Sequence, residues 1–220
     1  MKVNDVVFTP QDVAEIMAQE GLELWQDVNG KQMIKARILD PACGTGNLLE
    51  ACRNYVYSLY LEYPDITGID IRSELLEVAK KRIPEGKFYC FDALAEASKI
   101  GKFDFIIANP PYVSINCIGK EKREIYKKLY SSCYGRVDLY ILFLELGWRL
   151  LKENGVMAFI IPNNWLKSQN GTGIRRLFQE EQADLYIIEE GKKIFKEQVF
   201  THFLFAVKRK SRSIKYFFRR

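Results

Sequence analysis

Short apolar runs that each stop at a polar residue alternate along the chain with longer segments whose apolar residues recur every three or four positions. Ala36-Arg37-Ile38-Leu39-Asp40 reads as a strand ending at an acid; Pro41 to Gly46 then punctuates, and Asn47 to Leu61 carries helical spacing. Ile66 to Asp70 is a second strand with an acidic end, followed by a helix that Ser73 caps and Pro84 closes. Lys87 to Phe91 is a third strand, running into Asp92. Phe103 to Ala108 is a fourth, stopped at Asn109-Pro110-Pro111-Tyr112 because proline cannot donate to a ladder. Farther on come a buried helix at Asp138 to Leu151, a strand at Gly155 to Ile161, a helix at Ile174 to Glu181, and strands at Ala183 to Ile188 and Val199 to Val207. Near the start, Thr9-Pro10-Gln11-Asp12 has a capping residue, a proline suited to the first helical position and an acid, which predicts a helix to about Glu20.

Strands alternating with helices predict an α/β fold with a mostly parallel, seven-stranded sheet and helices on both faces. Ligands of such sheets bind beyond the carboxyl ends of the strands, where Asp40, Asp70, Asp92 and Asn109 all fall.

The 220 residues suit one domain, assigned to 1–207, with 208–220 as a basic tail. With 48% hydrophobic and 28% charged residues the chain has the composition of a folded soluble protein rather than a disordered one. No apolar run reaches the roughly 18 residues of a membrane span, since Asp138 and Glu145 interrupt Val137 to Leu151. No signal-peptide core opens the chain, so the expected compartment is the cytoplasm. Five cysteines without a CxxC pair predict free thiols, and a single histidine, His202, removes His-rich zinc sites, so no metal is expected.

The net charge of +5 is uneven: seven Lys or Arg fall in 208–220, leaving the remainder slightly acidic. A second cluster, Lys120, Lys122, Arg123, Lys127 and Lys128, has Tyr126 and Tyr130 interleaved. Such clusters suit a polyanion, and equally suit a solvated helix face.

Asp40-Pro41-Ala42-Cys43-Gly44-Thr45-Gly46 joins a strand-end carboxylate to glycines that let the backbone approach a ligand, and it lacks the lysine of a phosphate-cradling loop. Alone it also fits an ordinary tight βα turn. Asp70, ending the next strand, sits where ribose hydroxyls are bound in dinucleotide-type folds, which points to a nucleoside-containing cofactor. Asp92 reads either as an acceptor for an adenine amine or as a helix cap. Asn109-Pro110-Pro111-Tyr112 holds an amide, a backbone carbonyl and an aromatic ring rigidly at a strand end.

That tetrapeptide resembles the fourth motif of S-adenosylmethionine-dependent methyltransferases that modify exocyclic or amide nitrogens, and Asp40 to Gly46 resembles their first motif. With Phe8-Thr9-Pro10 upstream, and Asp138-Leu139-Tyr140, Phe143, Ile160 to Trp165 and Ile194-Phe195 to Val207 downstream, residues 8–207 resemble the gamma group of N6-adenine DNA methyltransferases of restriction-modification systems. The resemblance implies a Rossmann-like class I methyltransferase fold. It implies that S-adenosyl-L-methionine is bound through Asp40, Gly44 and Gly46 at its methionine, Asp70 at its ribose and Asp92 at its adenine, with Thr9, Pro41, Cys43, Ile71, Ala93 and Asn109 around it. Cys43 is also explained by small size in a crowded loop. The same resemblance implies that Asn109 and the Pro110 carbonyl accept the two hydrogens of the target amine, and that Tyr112 and Phe195 stack on a flipped base. Phe200 is the alternative to Phe195.

The implied partners are double-stranded DNA, a target-recognition domain or specificity subunit expected to be supplied elsewhere, and a restriction nuclease. Residues 208–220 would be the start of such a recognition domain or a phosphate-binding arm. Two rival readings share the tetrapeptide: methyl transfer to RNA or to a protein glutamine, and a cofactor-binding subunit that needs a partner chain for DNA. His202 reads as structural, while Trp165 fits either the pocket edge or the core.

Overall fold

The computed structural model describes residues 9–190, 201–209 and 214–219. Among these, six helices, α1 (Gln11–Asn29), α2 (Asn47–Tyr60), α3 (Ser73–Arg82), α4 (Lys120–Leu129), α5 (Leu139–Leu150) and α6 (Thr172–Glu180), accompany one sheet. Its strands are β1 (Arg37–Asp40), β2 (Asp65–Asp70), β3 (Lys87–Cys90), β4 (Phe103–Ala108), β5 (Leu151–Pro162), β6 (Asp184–Glu190), β7 (Thr201–Val207) and β8 (Ile214–Arg219). The order is β3-β2-β1-β4-β5-β7-β6-β8.

The seven expected strands are present in a mostly parallel sheet, with β7 antiparallel to both β5 and β6. An eighth, β8, pairs in parallel with β6 and extends that edge. It comes from the residues read as a basic tail, where the surrounding lysines and arginines masked the strand-favouring Ile214, Tyr216, Phe217 and Phe218.

Both faces are covered, so the central strands are apolar on both sides: Ile38, Leu39 and Phe105 to Ala108 are fully shielded. One layer packs α1, α2 and α3 around Trp25, Leu49 and Phe105. The other packs α4, α5 and α6 around Tyr140, Phe159 and Trp165. Every residue of α5 except Arg149 is buried, including Glu145, the one acid within its apolar run.

α1 runs nine residues beyond the expected end at Glu20. Gly21 is not a terminator: a Cβ there would lie 2.5 Å from the Phe105 ring, so glycine lets the helix lie directly on β4, and Leu22 and Trp25 continue the buried stripe. Its N-cap is Pro10 with no side-chain cap, so Thr9 does not cap the helix as its position suggested. The basic segment before α5 is the helix α4, and it buries Tyr126.

Candidate active site

Strand order reverses between β1 and β4, which opens a crevice above their carboxyl ends. A cleft there is lined by Thr9, Asp40, Asp70, Asp92, Asn109 and Tyr112, and also by Pro41, Cys43, Gly44, Ile71, Ala93 and Pro110. Gly46 does not line it. It takes φ 84° at the N-cap of α2, and a Cβ there would lie 3.2 Å from that of Ala79, so its smallness serves the packing of α2 on α3. Phe195, and its alternative Phe200, lie outside the described residues.

The loop after β1 is tied to the sheet by its own backbone. Ala42 N–H donates to Asp40 Oδ1 (2.9 Å), Cys43 N–H to the Ile69 carbonyl (2.9 Å), and Gly44 N–H to Asp70 Oδ2 (2.9 Å). Cys43 is buried, and a Cβ on Gly68 would come within 2.9 Å of its sulfur, so a small side chain is needed there. Burial pushes the Asp40 carboxyl up to about 8; the Ala42 N–H opposes this and the Asp70 charge adds to it.

Asp70 is 4% exposed, and both of its oxygens are engaged. Arg72 donates from its backbone N–H (2.9 Å) and Nε (2.9 Å) to Oδ1, and from a terminal nitrogen (3.1 Å) to Oδ2. Asp92 is likewise surrounded. Leu94 and Ala95 N–H donate to Oδ1 (3.2 Å each), while the Tyr126 hydroxyl and Lys122 Nζ donate to Oδ2 (2.8 Å each). Burial alone would raise this carboxyl, but Lys122, Tyr126 and the Ala95 N–H outweigh it and hold Asp92 below the usual carboxylate range.

At the end of β4, Asn109 Nδ2 donates to Thr9 Oγ1 (3.1 Å), which fixes the amide so that its oxygen faces the other way. That oxygen, Oδ1, lies 2.7 Å from the Tyr112 hydroxyl, whose proton is shared with the Ile160 carbonyl at 3.0 Å. Tyr112 therefore packs inward, edge-on to Tyr140 with ring centroids 6.0 Å apart. The Tyr140 hydroxyl in turn donates to Asn164 Oδ1 (2.6 Å).

Arg72 has no place in the sequence-based expectations, and Lys122 and Tyr126 figure there only as members of a basic cluster, not as residues of the cleft. A cation two residues beyond a strand-end acid, and a Lys-Tyr pair at helical i, i+4 spacing, were the available signals. Tyr126 and Tyr130 do not interleave with the cations on the surface: both are buried, and Tyr130 donates to the Leu94 carbonyl (2.8 Å). His202 is buried and accepts from Trp165 Nε1 (2.9 Å), and burial lowers it to about 4. Trp165 thus belongs to the core. All five cysteines are free. Among the described residues no helix is long and apolar enough to cross a membrane, and no group of three or more His, Cys, Asp or Glu could hold a metal ion.

The cleft thus brings together three carboxylates, the apolar side chains of Ile71, Ala93 and Phe143, and an amide.

Similarity to known proteins extends over most of the chain. Type II methyltransferase M.BanIII of Aneurinibacillus aneurinilyticus is 29% identical over 229 residues, which covers 94% of this chain and 39% of that protein. Modification methylase CviBIII of Paramecium bursaria Chlorella virus NC1A is 33% identical over 178 residues, covering 78% of this chain and 41% of its own length. The chain therefore spans about two fifths of these relatives. A solved structure from Listeria monocytogenes, described as a class I S-adenosylmethionine-dependent methyltransferase, superposes with a TM-score of 0.78 at 23% identity over 99% of this chain and 67% of its own, and shares the fold. The Eco57I restriction-modification methylase profile matches residues 65–195, from β2 through Asp70, Asp92 and the Asn109–Tyr112 turn. With more than half of its length matched, this chain belongs to the Eco57I restriction-modification methylase family.

Proposed function

We propose that this chain is the catalytic part of a DNA methyltransferase, which moves a methyl group from S-adenosyl-L-methionine to the N6 amine of an adenine turned out of duplex DNA. The observation that carries the reading is the placement of the Asn109 amide and the Pro110 carbonyl in one cleft with Asp40, Asp70 and Asp92.

When bound, the cofactor supplies a methyl group activated by a sulfonium. Asp40 and the Gly44 backbone would hold its methionine end, Asp70 its ribose and Asp92 its adenine, with Ile71 and Ala93 offering apolar surface to the ring. Arg72 must swing off Asp70 for the diol to bond there, which is feasible because its side chain is partly exposed (28%). On the other side, Asn109 Oδ1 and the Pro110 carbonyl accept the two amine hydrogens of the target. An aromatic amine delocalises its lone pair into the ring; two acceptors for its hydrogens would favour a pyramidal nitrogen with its lone pair free to take the methyl group. With the sulfonium leaving as the neutral thioether S-adenosylhomocysteine, the methylated amine, then a strongly acidic cation, would lose its extra proton through the Asn109 side chain or the Pro110 carbonyl to water, so no strong general base is needed. Thr9 fixes the amide orientation for this task. Tyr112 leaves its inward position to stack on the base, with Phe195 as its counterpart. The partners of the reading are double-stranded DNA, a target-recognition domain or specificity subunit, and a restriction nuclease of the same system.

The test is methyl transfer from labelled S-adenosylmethionine to unmethylated duplex DNA, followed by digestion to nucleosides. Wild-type protein should give N6-methyladenine, and Asn109→Ala should give none while its cofactor affinity stays within about twofold, because the lost interaction acts mainly in the transition state. Label in RNA or in protein glutamine, or full activity in Asn109→Ala, would overturn the assignment.

A further inference from the structure

The carboxylate of Asp92 is fully subscribed: two backbone N–H groups occupy Oδ1, and the Tyr126 hydroxyl and Lys122 ammonium occupy Oδ2. A further donor can bond to it only by displacing one of these four. The two N–H groups belong to the turn after β3. Tyr126 is 4% exposed, so its hydroxyl has no water to turn to and would be left unpaired. The Lys122 side chain is 52% exposed, and its ammonium rehydrates on leaving. Lys122 is therefore the donor that yields, and Tyr126, one helical turn along the same face of α4, is the one that stays.

We propose that Lys122 is a displaceable occupant of the Asp92 seat that the cofactor's adenine amine takes, and that through this position it sets how strictly the site reads position 6 of the purine. The inference rests on the cofactor reading above. An incoming 6-amino group is a donor and replaces Lys122 on Oδ2. A 6-keto purine offers an acceptor, which would face the carboxylate acceptor to acceptor; Lys122 relieves the clash by remaining in place and donating to both. The lysine thus weakens amine binding slightly and tolerates the keto form. Without it, the seat is open to an amine and closed to a carbonyl.

The experiment is calorimetric binding of S-adenosylhomocysteine and S-inosylhomocysteine to wild type and to Lys122→Met. The variant should bind the adenosyl compound up to about fivefold more tightly, with a gain that shrinks as salt rises. It should bind the inosyl compound about tenfold more weakly. The ratio of the two affinities therefore moves by more than tenfold, whereas a merely structural lysine would shift both together, and Lys122→Arg should restore the wild-type ratio. An unchanged ratio in a Lys122→Met protein that unfolds at the wild-type temperature overturns the role. Wild-type protein that binds neither compound overturns the cofactor reading, and this role with it.

Discussion

Asp40 is where pH acts most directly on this site. Burial and the neighbouring Asp70 push its carboxyl up to about 8, so in the free protein it is largely protonated at neutral pH. In the proposed role, opposite the ammonium of a bound methionine group, it would ionise, and binding below pH 8 would release a proton. Cofactor affinity should rise with pH toward 8 and then fall as the ligand's own amine, with a pKa of about 8, loses its charge. Calorimetry at pH 7 in two buffers of different ionisation enthalpy measures this: close to one proton released supports the role of Asp40, and none would remove it. The same shift has a stability sign. A folded-state pKa raised above the unfolded value contributes stability that is full below about pH 4 and is lost as pH rises through 8. The free protein should therefore lose melting temperature between pH 6 and 8.5, and Asp40→Asn should lose less. The strand-end residues Asp40, Asp70, Asp92 and Asn109 were legible because each interrupts an apolar run. Their partners were not: Thr9 lies 100 positions from Asn109, and Tyr126 lies 34 from Asp92, so only the folded chain brings them together.

α5 shows how an element is secured by a residue its pattern would exclude. Glu145 is fully buried in an otherwise apolar helix, and it accepts from Ser132 N–H (2.7 Å), Ser131 N–H (3.1 Å) and the Ser131 hydroxyl (3.0 Å), with Arg149 paired beside it. This carboxylate anchors the chain just after α4, the helix that carries Lys122 and Tyr126. Glu145→Ala strands two backbone donors and should cost about 2–4 kcal/mol in chemical denaturation. Glu145→Gln keeps one acceptor oxygen and should cost less; equal losses would show that charge rather than acceptor capacity matters. The position of α5 was legible in its apolar run, whereas the acid within it read only as an interruption. The end of α1 was misjudged for the opposite reason: Gly21 has the look of a stop signal, and its need to be small arises from Phe105, which lies 84 residues away in sequence and on another element.

On the scale of the molecule, the sheet has one edge at β3 and the other at β8, with the cleft above its centre. Truncation after Arg209 keeps the ion pair of half-exposed Arg209 with buried Asp184 but bares the backbone of β6. The shortened protein should self-associate in light scattering while retaining cofactor affinity, since an unpaired strand edge is a template for another chain. A monodisperse product would show that β8 is dispensable. The parallel alternation behind this architecture was legible throughout, and β8 escaped because charge dominated its surroundings. The inward Tyr112 bears on the whole balance of recognition. Before any DNA arrives, its ring already lies against Tyr140 and its hydroxyl already satisfies Asn109. Under the proposed function, a base entering the cleft would displace the Tyr112 hydroxyl from Asn109 and stack on the tyrosine ring, a gain that favours every base alike. The amine of adenine or cytosine would then take over the acceptor that the tyrosine gives up, whereas guanine and thymine, with a carbonyl at that position, would leave Asn109 Oδ1 without a donor. On that reading, the protein's own side chain would be the competitor against which each candidate base is weighed.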